Sequence, residues 1–169
     1  TAEDAVKDLL LGIDVGTSSV KAAVFTSDGH VRGRAQVPCP PRHPHPGWAE
    51  IAPERWWRAL RALTDQLREA GVPLQDIAGI GVSVLFPAFI PMDHAGNALA
   101  PAILYSDGRS QDQVRVLDER VGLHWIEERT ANHVVPGTCS LTSLEWYREH
   151  RPQLFRRTSP PAALRWFGH

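Results

Sequence analysis

The stretch from Leu9 to Phe25, LLLGIDVGTSSVKAAVF, constrains the fold more than any other. Its first half is a short apolar run without alternation, the pattern of a strand buried on both faces. Its second half, rich in β-branched and apolar residues, reads as another strand. Asp28-Gly29 is a strong hairpin signal, and the segment from His30 to Val37 alternates like a third strand. The chain therefore opens as a three-stranded antiparallel meander. Between its first two strands stand Asp14, Gly16, Thr17, Ser18 and Ser19, a carboxylate beside a turn shaped to receive anions.

The proline-rich segment PCPPRHPHPG cannot enter a sheet interior and reads as a long loop. After it, Pro53 to Ala70 predicts a helix. Pro53 suits the first turn, Gly71 and Pro73 close it, and Trp56, Leu60, Leu63 and Leu67 share a face. Ile77 to Val84 is a further apolar strand, expected in the same sheet as the meander with the helix on one face. Ala88 to Tyr105 reads as two strands around a turn at Asp93 to Asn97. From Ser106 to about His150 the pattern is helical, interrupted near Asn132 to Gly137. Pro152 weakens the last helix. This order makes a mixed α/β chain.

The 169 residues carry a net charge of −1, which argues against a broad grip on nucleic acid or on an anionic membrane surface. No apolar run reaches membrane-spanning length, and the polar, acidic N-terminus is no secretory signal, so a cytoplasmic location is expected. Cys39 and Cys139 stand far apart outside any CxxC pattern and read as free thiols. His43 and His45 form an HxH pair without a third ligand, a weak basis for a metal.

No GxxxxGK[ST] P-loop is present, and the glycine turn at Asp14 opens a strand, which excludes a dinucleotide fingerprint. Gly16 permits close approach of a ligand, and Thr17, Ser18 and the turn amides can donate to phosphate oxygens. A bare carboxylate repels phosphate, but with Mg²⁺ between them the arrangement is favourable. From these residues alone, Asp14 either serves that metal or caps a β-turn.

The stretch from Leu10 to Val31 resembles the first phosphate-binding hairpin of the sugar kinase, actin and heat-shock ATPase superfamily. HPHPGWAEIAPERWW resembles the Pro-Gly-Trp-x-Glu-x-x-Pro-x-x-Trp-Trp signature of the FGGY carbohydrate kinases, xylulokinase-like members above all. PMDHAGNALAPAILYSDGRS resembles their Asp-x-x-Gly turn, Pro-Ala-Ile-Leu strand and Asp-Gly-Arg loop. VVPGTCSLTSLEWYREHRPQLF resembles their Pro-Gly segment and following helix. The resemblance implies an incomplete N-terminal lobe of an actin-like (ribonuclease H-like) ATPase fold over residues 9–157. Residues 1–8 would be an extension, and residues 158–169 a tail outside the family pattern.

It also implies transfer of the ATP γ-phosphate to a sugar or polyol, with Mg²⁺. Asp14 would orient hydrated Mg²⁺, and Gly16, Thr17 and Ser18 would contact phosphate. Phe86, Pro87, Tyr105, Asp107 and Arg109 would lie against the sugar. Xylulokinases carry Gly-Gln-Met-His-Gly where this chain has Val84-Leu85-Phe86-Pro87-Ala88, which leaves the identity of the sugar open. No residue here is a convincing base. The catalytic aspartate, adenine site and second phosphate motif are expected in another part of the family pattern, so the chain by itself is expected to be inactive. A complementing C-terminal lobe or a homo-oligomer is open as partner. The rivals are a sugar- or partner-binding remnant without catalysis and half of an aspartic protease. The latter rests on GIDVGTSS, in which Val15 replaces the expected Thr.

Overall fold

The computed structural model describes residues 8–158. In chain order its elements are β1 (Leu9–Val15), β2 (Ser19–Thr26), β3 (Val31–Pro38), β4 (Glu50–Ile51), α1 (Pro53–Glu69), β5 (Ile77–Val84), β6 (Ala88–Phe89), β7 (Ala102–Leu104), α2 (Gln111–Val121), α3 (Leu123–Thr130), α4 (Ser140–His150) and α5 (Pro152–Arg157). They divide into two compact units. Among the described residues, one comprises residues 8–40 together with 54–85, the other residues 41–53 together with 86–158.

The first unit is a four-stranded sheet in the order β3-β2-β1-β5. The meander closes as expected, with Asp14 opposite Lys21 and Gly12 opposite Ala23. Its second turn is set by Gly29 at a φ of 90°, a conformation that glycine adopts without steric cost. β5 runs parallel to β1 and places Ser83 opposite Asp14. The α1 helix begins at Pro53 and stops before Gly71, whose φ of 78° ends the helical path. Its buried stripe is Ala59, Leu63 and Leu67, while Leu60 and Trp56 are only partly covered. A Cβ added at Gly33 would lie 2.5 Å from Val72 and 3.4 Å from Leu67, so β3 and the end of α1 touch with no room for a side chain.

This packing corrects one expectation. Leu9 and Leu11 are buried, but Leu10 and Asp14 on the opposite face of β1 are exposed. The strand is covered on one side only, because α1 packs on the face that carries Leu11, Val20, Ala22 and Val24.

The second unit holds a small sheet, β4-β7-β6, and helices α2 to α5. Phe89, Ile103, Trp146 and Tyr147 form its core. The predicted turn at Asp93 to Asn97 is present, with Asp93 Oδ1 accepting the N–H of Ala95 at 2.9 Å and of Asn97 at 2.8 Å. The helical region breaks where expected and also at Gly122, whose φ of 86° separates α2 from α3. Pro152 does not weaken a helix. It occupies the first turn of α5, where its missing N–H costs nothing. The tail assigned to residues 158–169 lies outside the described residues beyond Thr158.

Candidate active site

The first unit presents a hairpin turn at the C-terminal end of β1. Gly16 donates its N–H to the carbonyl of Ser19 at 3.0 Å, and a Cβ at Gly16 would come within 3.2 Å of that same oxygen. The tight turn therefore leaves little room for a side chain at this position. Cys39 donates its N–H to the Ser18 carbonyl at 2.8 Å, and Gln36 Nε2 donates to Ser19 Oγ at 3.3 Å, which anchors the turn to β3. Thr17 and Ser18 are exposed, and no hydrogen bond among the described residues claims their backbone N–H groups. Two amides and two hydroxyls are thus free to donate to an anion.

Asp14 stands next to this turn, half-exposed, with Oδ2 3.9 Å from Lys21 Nζ. It belongs to the face of the sheet opposite α1, where Gly81, Gly12 and Ala23 lie side by side on β5, β1 and β2. These small residues leave a shallow trough, lined also by Ser83, Lys21, Gln36 and Arg34. Among the described residues no three His, Cys, Asp or Glu side chains gather around a metal position. One accessible carboxylate with free turn donors does fit a hard cation that keeps most of its waters and takes its other oxygens from phosphate.

The second unit carries the remaining predicted residues. Ala88 pairs with Leu104, so the register places Pro87 opposite Tyr105 at one end of the β6–β7 ribbon. Phe86 and Tyr105 are both exposed there, and Pro87 is half-buried.

Asp107 and Arg109 are placed differently. Their side chains are 0% and 3% exposed, and they hold one another. Asp107 Oδ1 accepts the N–H of Arg109 at 2.9 Å and its Nε at 2.8 Å, while Oδ2 accepts Arg109 Nη2 at 2.8 Å and the N–H of Ala49 at 2.6 Å. Arg109 Nη2 also reaches Glu50 Oε2 at 3.0 Å, and the guanidinium lies 3.8 Å above the Trp48 ring. Burial works against the Arg109 charge, but the hydrogen bonds to Asp107 and Glu50 outweigh it and hold the group above its ordinary range.

His43 and His45 are drawn into the same cluster. His43 Nδ1 lies 2.7 Å from the Trp48 carbonyl, and the His45 ring packs edge-on to Trp48. Gly137 completes it. A Cβ there would lie 2.5 Å from the Tyr105 carbonyl and 2.7 Å from those of Leu104 and Asp107. Sequence reasoning did not assign roles to Glu50 and Gly137 in this cluster. The signal available was that the Pro-Gly-Trp-x-Glu, Asp-Gly-Arg and Pro-Gly motifs occur in one chain.

The profile of the FGGY family of carbohydrate kinases, N-terminal domain, matches residues 9–164. The chain belongs to the FGGY family. The FGGY domain is 33% identical to the xylulose kinase of Escherichia coli (strain K12) over 153 residues, covering 88% of this chain and 30% of that enzyme. It is 31% identical over 151 residues to a glycerol kinase of Thermococcus kodakarensis, covering 88% of this chain and 30% of that protein. Among solved structures, the xylulose kinase of Rhodospirillum rubrum superposes with a TM-score of 0.82 at 33% identity, covering 89% of this chain and 31% of that one. The chain thus spans about 30% of the length of these relatives. The fold is the N-terminal part of an actin-like ATPase domain. Residues 9–164 run past the boundary drawn at Arg157 from the sequence. Among the described residues no helix is long and apolar enough to cross a membrane.

Proposed function

We propose that this FGGY domain is the phosphate-facing part of an ATP-dependent kinase that phosphorylates a hydroxyl of a sugar or polyol in the cytoplasm. The observation that carries this reading is the β1–β2 turn, in which Asp14 stands beside two unclaimed amides and two exposed hydroxyls. Mg²⁺, when bound with the nucleotide, would neutralise the phosphate charge. Asp14 would hold it through water, while Thr17 and Ser18 donate to phosphate oxygens and Gly16, whose own N–H is held by the Ser19 carbonyl, lets them approach the turn closely.

On the substrate side, Phe86, Pro87 and Tyr105 offer an aromatic and apolar wall for the carbon face of a sugar. Asp107 has its oxygens occupied by Arg109 and Ala49, so it is not free to take a hydroxyl proton. Asp107 and Arg109 act in this reading by holding the Tyr105 turn in place. Their buried bonds support that role over the direct sugar contact expected from the sequence. The proton acceptor, the adenine contacts and the opposing phosphate donors come from a complementing lobe. The assigned family leaves the aspartic protease reading without support.

Titration of the isotopically labelled chain with ATP tests the phosphate role by NMR. Amide shifts centred on Gly16, Thr17 and Ser18 are expected, larger with Mg²⁺ than without it. Asp14→Asn removes the Mg²⁺ dependence. Shifts spread over other surfaces, or an Asp14→Asn variant indistinguishable from the parent, would make the turn structural.

A further inference from the structure

The substrate wall of the second unit is uneven in its chemistry. The β6–β7 register puts Pro87 opposite Tyr105, with Phe86 next to it in the chain. On the β7 arm, Tyr105 and Ser106 are exposed, and each carries a hydroxyl that can bond a hydroxyl of a sugar. On the β6 arm, Phe86 and Pro87 carry no polar side-chain atom, and Pro87 has no N–H to donate.

The charges of the turn do not make up the difference. Asp107 and Arg109 are buried and direct their bonds to each other, to Ala49 and to Glu50. The third segment at the turn adds apolar surface. Gly137 packs against the Tyr105 carbonyl, and Val135, two residues earlier, is exposed. Thr138 turns its hydroxyl onto the Val135 carbonyl at 3.1 Å.

A common sugar presents a hydroxyl at almost every carbon. A hydroxyl pressed against Phe86 and Pro87 gives up its water and gains no partner, whereas a methyl or methylene there loses nothing and gains contact with the ring. Phe86 alone does not decide between them, because any sugar can lay C–H groups on a ring. Pro87 does. The Met-His pair that xylulokinases carry at these two places offers an imidazole to a hydroxyl, and Phe-Pro offers nothing.

We infer that the substrate of this domain is a deoxy sugar or deoxy polyol. It has CH3 or CH2 against Phe86 and Pro87 where common sugars carry CH2OH or CHOH, and its hydroxyls face Tyr105 and Ser106. The hydroxyl that takes the phosphate lies elsewhere on the same molecule. This rests on the kinase reading above and goes further by naming the substrate class. An apolar site disfavours one added hydroxyl by about 10- to 100-fold in kcat/KM, which sets the size of the effect.

The test compares matched pairs that differ by one hydroxyl: D-xylulose with 1-deoxy-D-xylulose, D-fructose with its 1-deoxy and 6-deoxy forms, and L-mannose with L-rhamnose. Coupled ADP release is read for a chimera carrying residues 9–164 in place of the aligned segment of the Escherichia coli xylulose kinase, with that enzyme as reference. In at least one pair the ratio of kcat/KM, deoxy over hydroxylated, should exceed that of the reference at least about tenfold. Phe86→Met combined with Pro87→His should bring the ratio back to the reference. Pro87→His alone, which keeps the ring, should recover most of the change. Ratios that match the reference in every pair, or that neither variant moves, overturn the inference and leave the kinase reading standing. Binding to the 169-residue chain is a separate readout. Saturation transferred from aromatic protons to the deoxy methyl of a bound sugar, and lost in Phe86→Ala, is expected. That transfer in a chimera without turnover on any pair would uphold the apolar subsite and count against the kinase reading. Neither transfer nor turnover would overturn both.

Discussion

Ala49 donates its N–H to Oδ2 of Asp107 at 2.6 Å, across 58 residues of sequence. This bond ties the Pro-Gly-Trp-x-Glu loop to the Asp-Gly-Arg turn. Gly108 donates to the Gly47 carbonyl at 2.7 Å, and Leu104 to the Ala49 carbonyl at 3.0 Å, so the two segments run together as a clasp. Arg109 is the charged centre of that clasp.

Asp107→Asn should therefore destabilise the second unit by about 3 kcal/mol or more, because it leaves a buried guanidinium short of its main counter-charge. Glu50→Gln should cost less, about 1–2 kcal/mol, since Glu50 is partly exposed and Asp107 remains. Urea denaturation of the two variants checks the order. Equal losses would mean that the charge on Asp107 is not what holds Arg109.

Gly137→Ala is expected to lower stability by about 2–4 kcal/mol. The φ of 74° disfavours any side chain, and the added methyl meets three backbone carbonyls of the Tyr105 turn. Gly96→Ala, at a φ of 83° but in open space, serves as the control and should lose only about 1 kcal/mol. Thermal melts of the pair separate backbone strain from lost close packing.

Burial pushes the Tyr147 hydroxyl up to about 12. An unfolded tyrosine ionises near pH 10, so between about pH 10 and 12 the unfolded chain releases a proton that the folded chain keeps. Stability must then fall as pH rises through that window, by about 3 kcal/mol in all, and be unaffected by this group below it. Tyr147→Phe should flatten the alkaline loss. Denaturation curves between pH 8 and 11.5 for the two proteins make the comparison, and identical slopes would show that Tyr147 titrates as an exposed phenol.

The meander, the α1 boundaries and the β5 strand were legible because each is written locally, whereas the parallel pairing of β5 with β1 was seen only in the structure. Asp28-Gly29 fixes a hairpin, Pro53 and Gly71 bracket a helix, and Ile77 to Val84 is apolar but for Ser83. Burial was less legible. The run from Leu9 to Asp14 looks the same whether one face or both are covered, and only the placement of α1 shows that Leu10 is open. The candidate site was legible at the turn of Gly16, where geometry follows from neighbours in sequence. It was not legible at Asp107 and Arg109. Polar residues beside Tyr105 suggest a substrate contact until Ala49, Glu50 and Trp48, brought in from the proline-rich loop, are seen to occupy them. Motifs name residue types, whereas a buried ion-pair cluster depends on partners distant in sequence.

The central claim is that Asp14 and its turn serve phosphoryl transfer to a sugar or polyol. The most direct measurement is coupled ADP release by a chimera in which residues 9–164 replace their counterpart in the Escherichia coli xylulose kinase, run against pentoses, hexoses and polyols. The account predicts turnover dependent on one of these substrates at about 1 s⁻¹ or faster. It predicts a loss of about 100-fold or more in Asp14→Asn with the fold unchanged, and no turnover by the 169-residue chain assayed alone. A folded chimera whose Asp14→Asn variant is as active as its parent, or one inactive on every substrate, would contradict it.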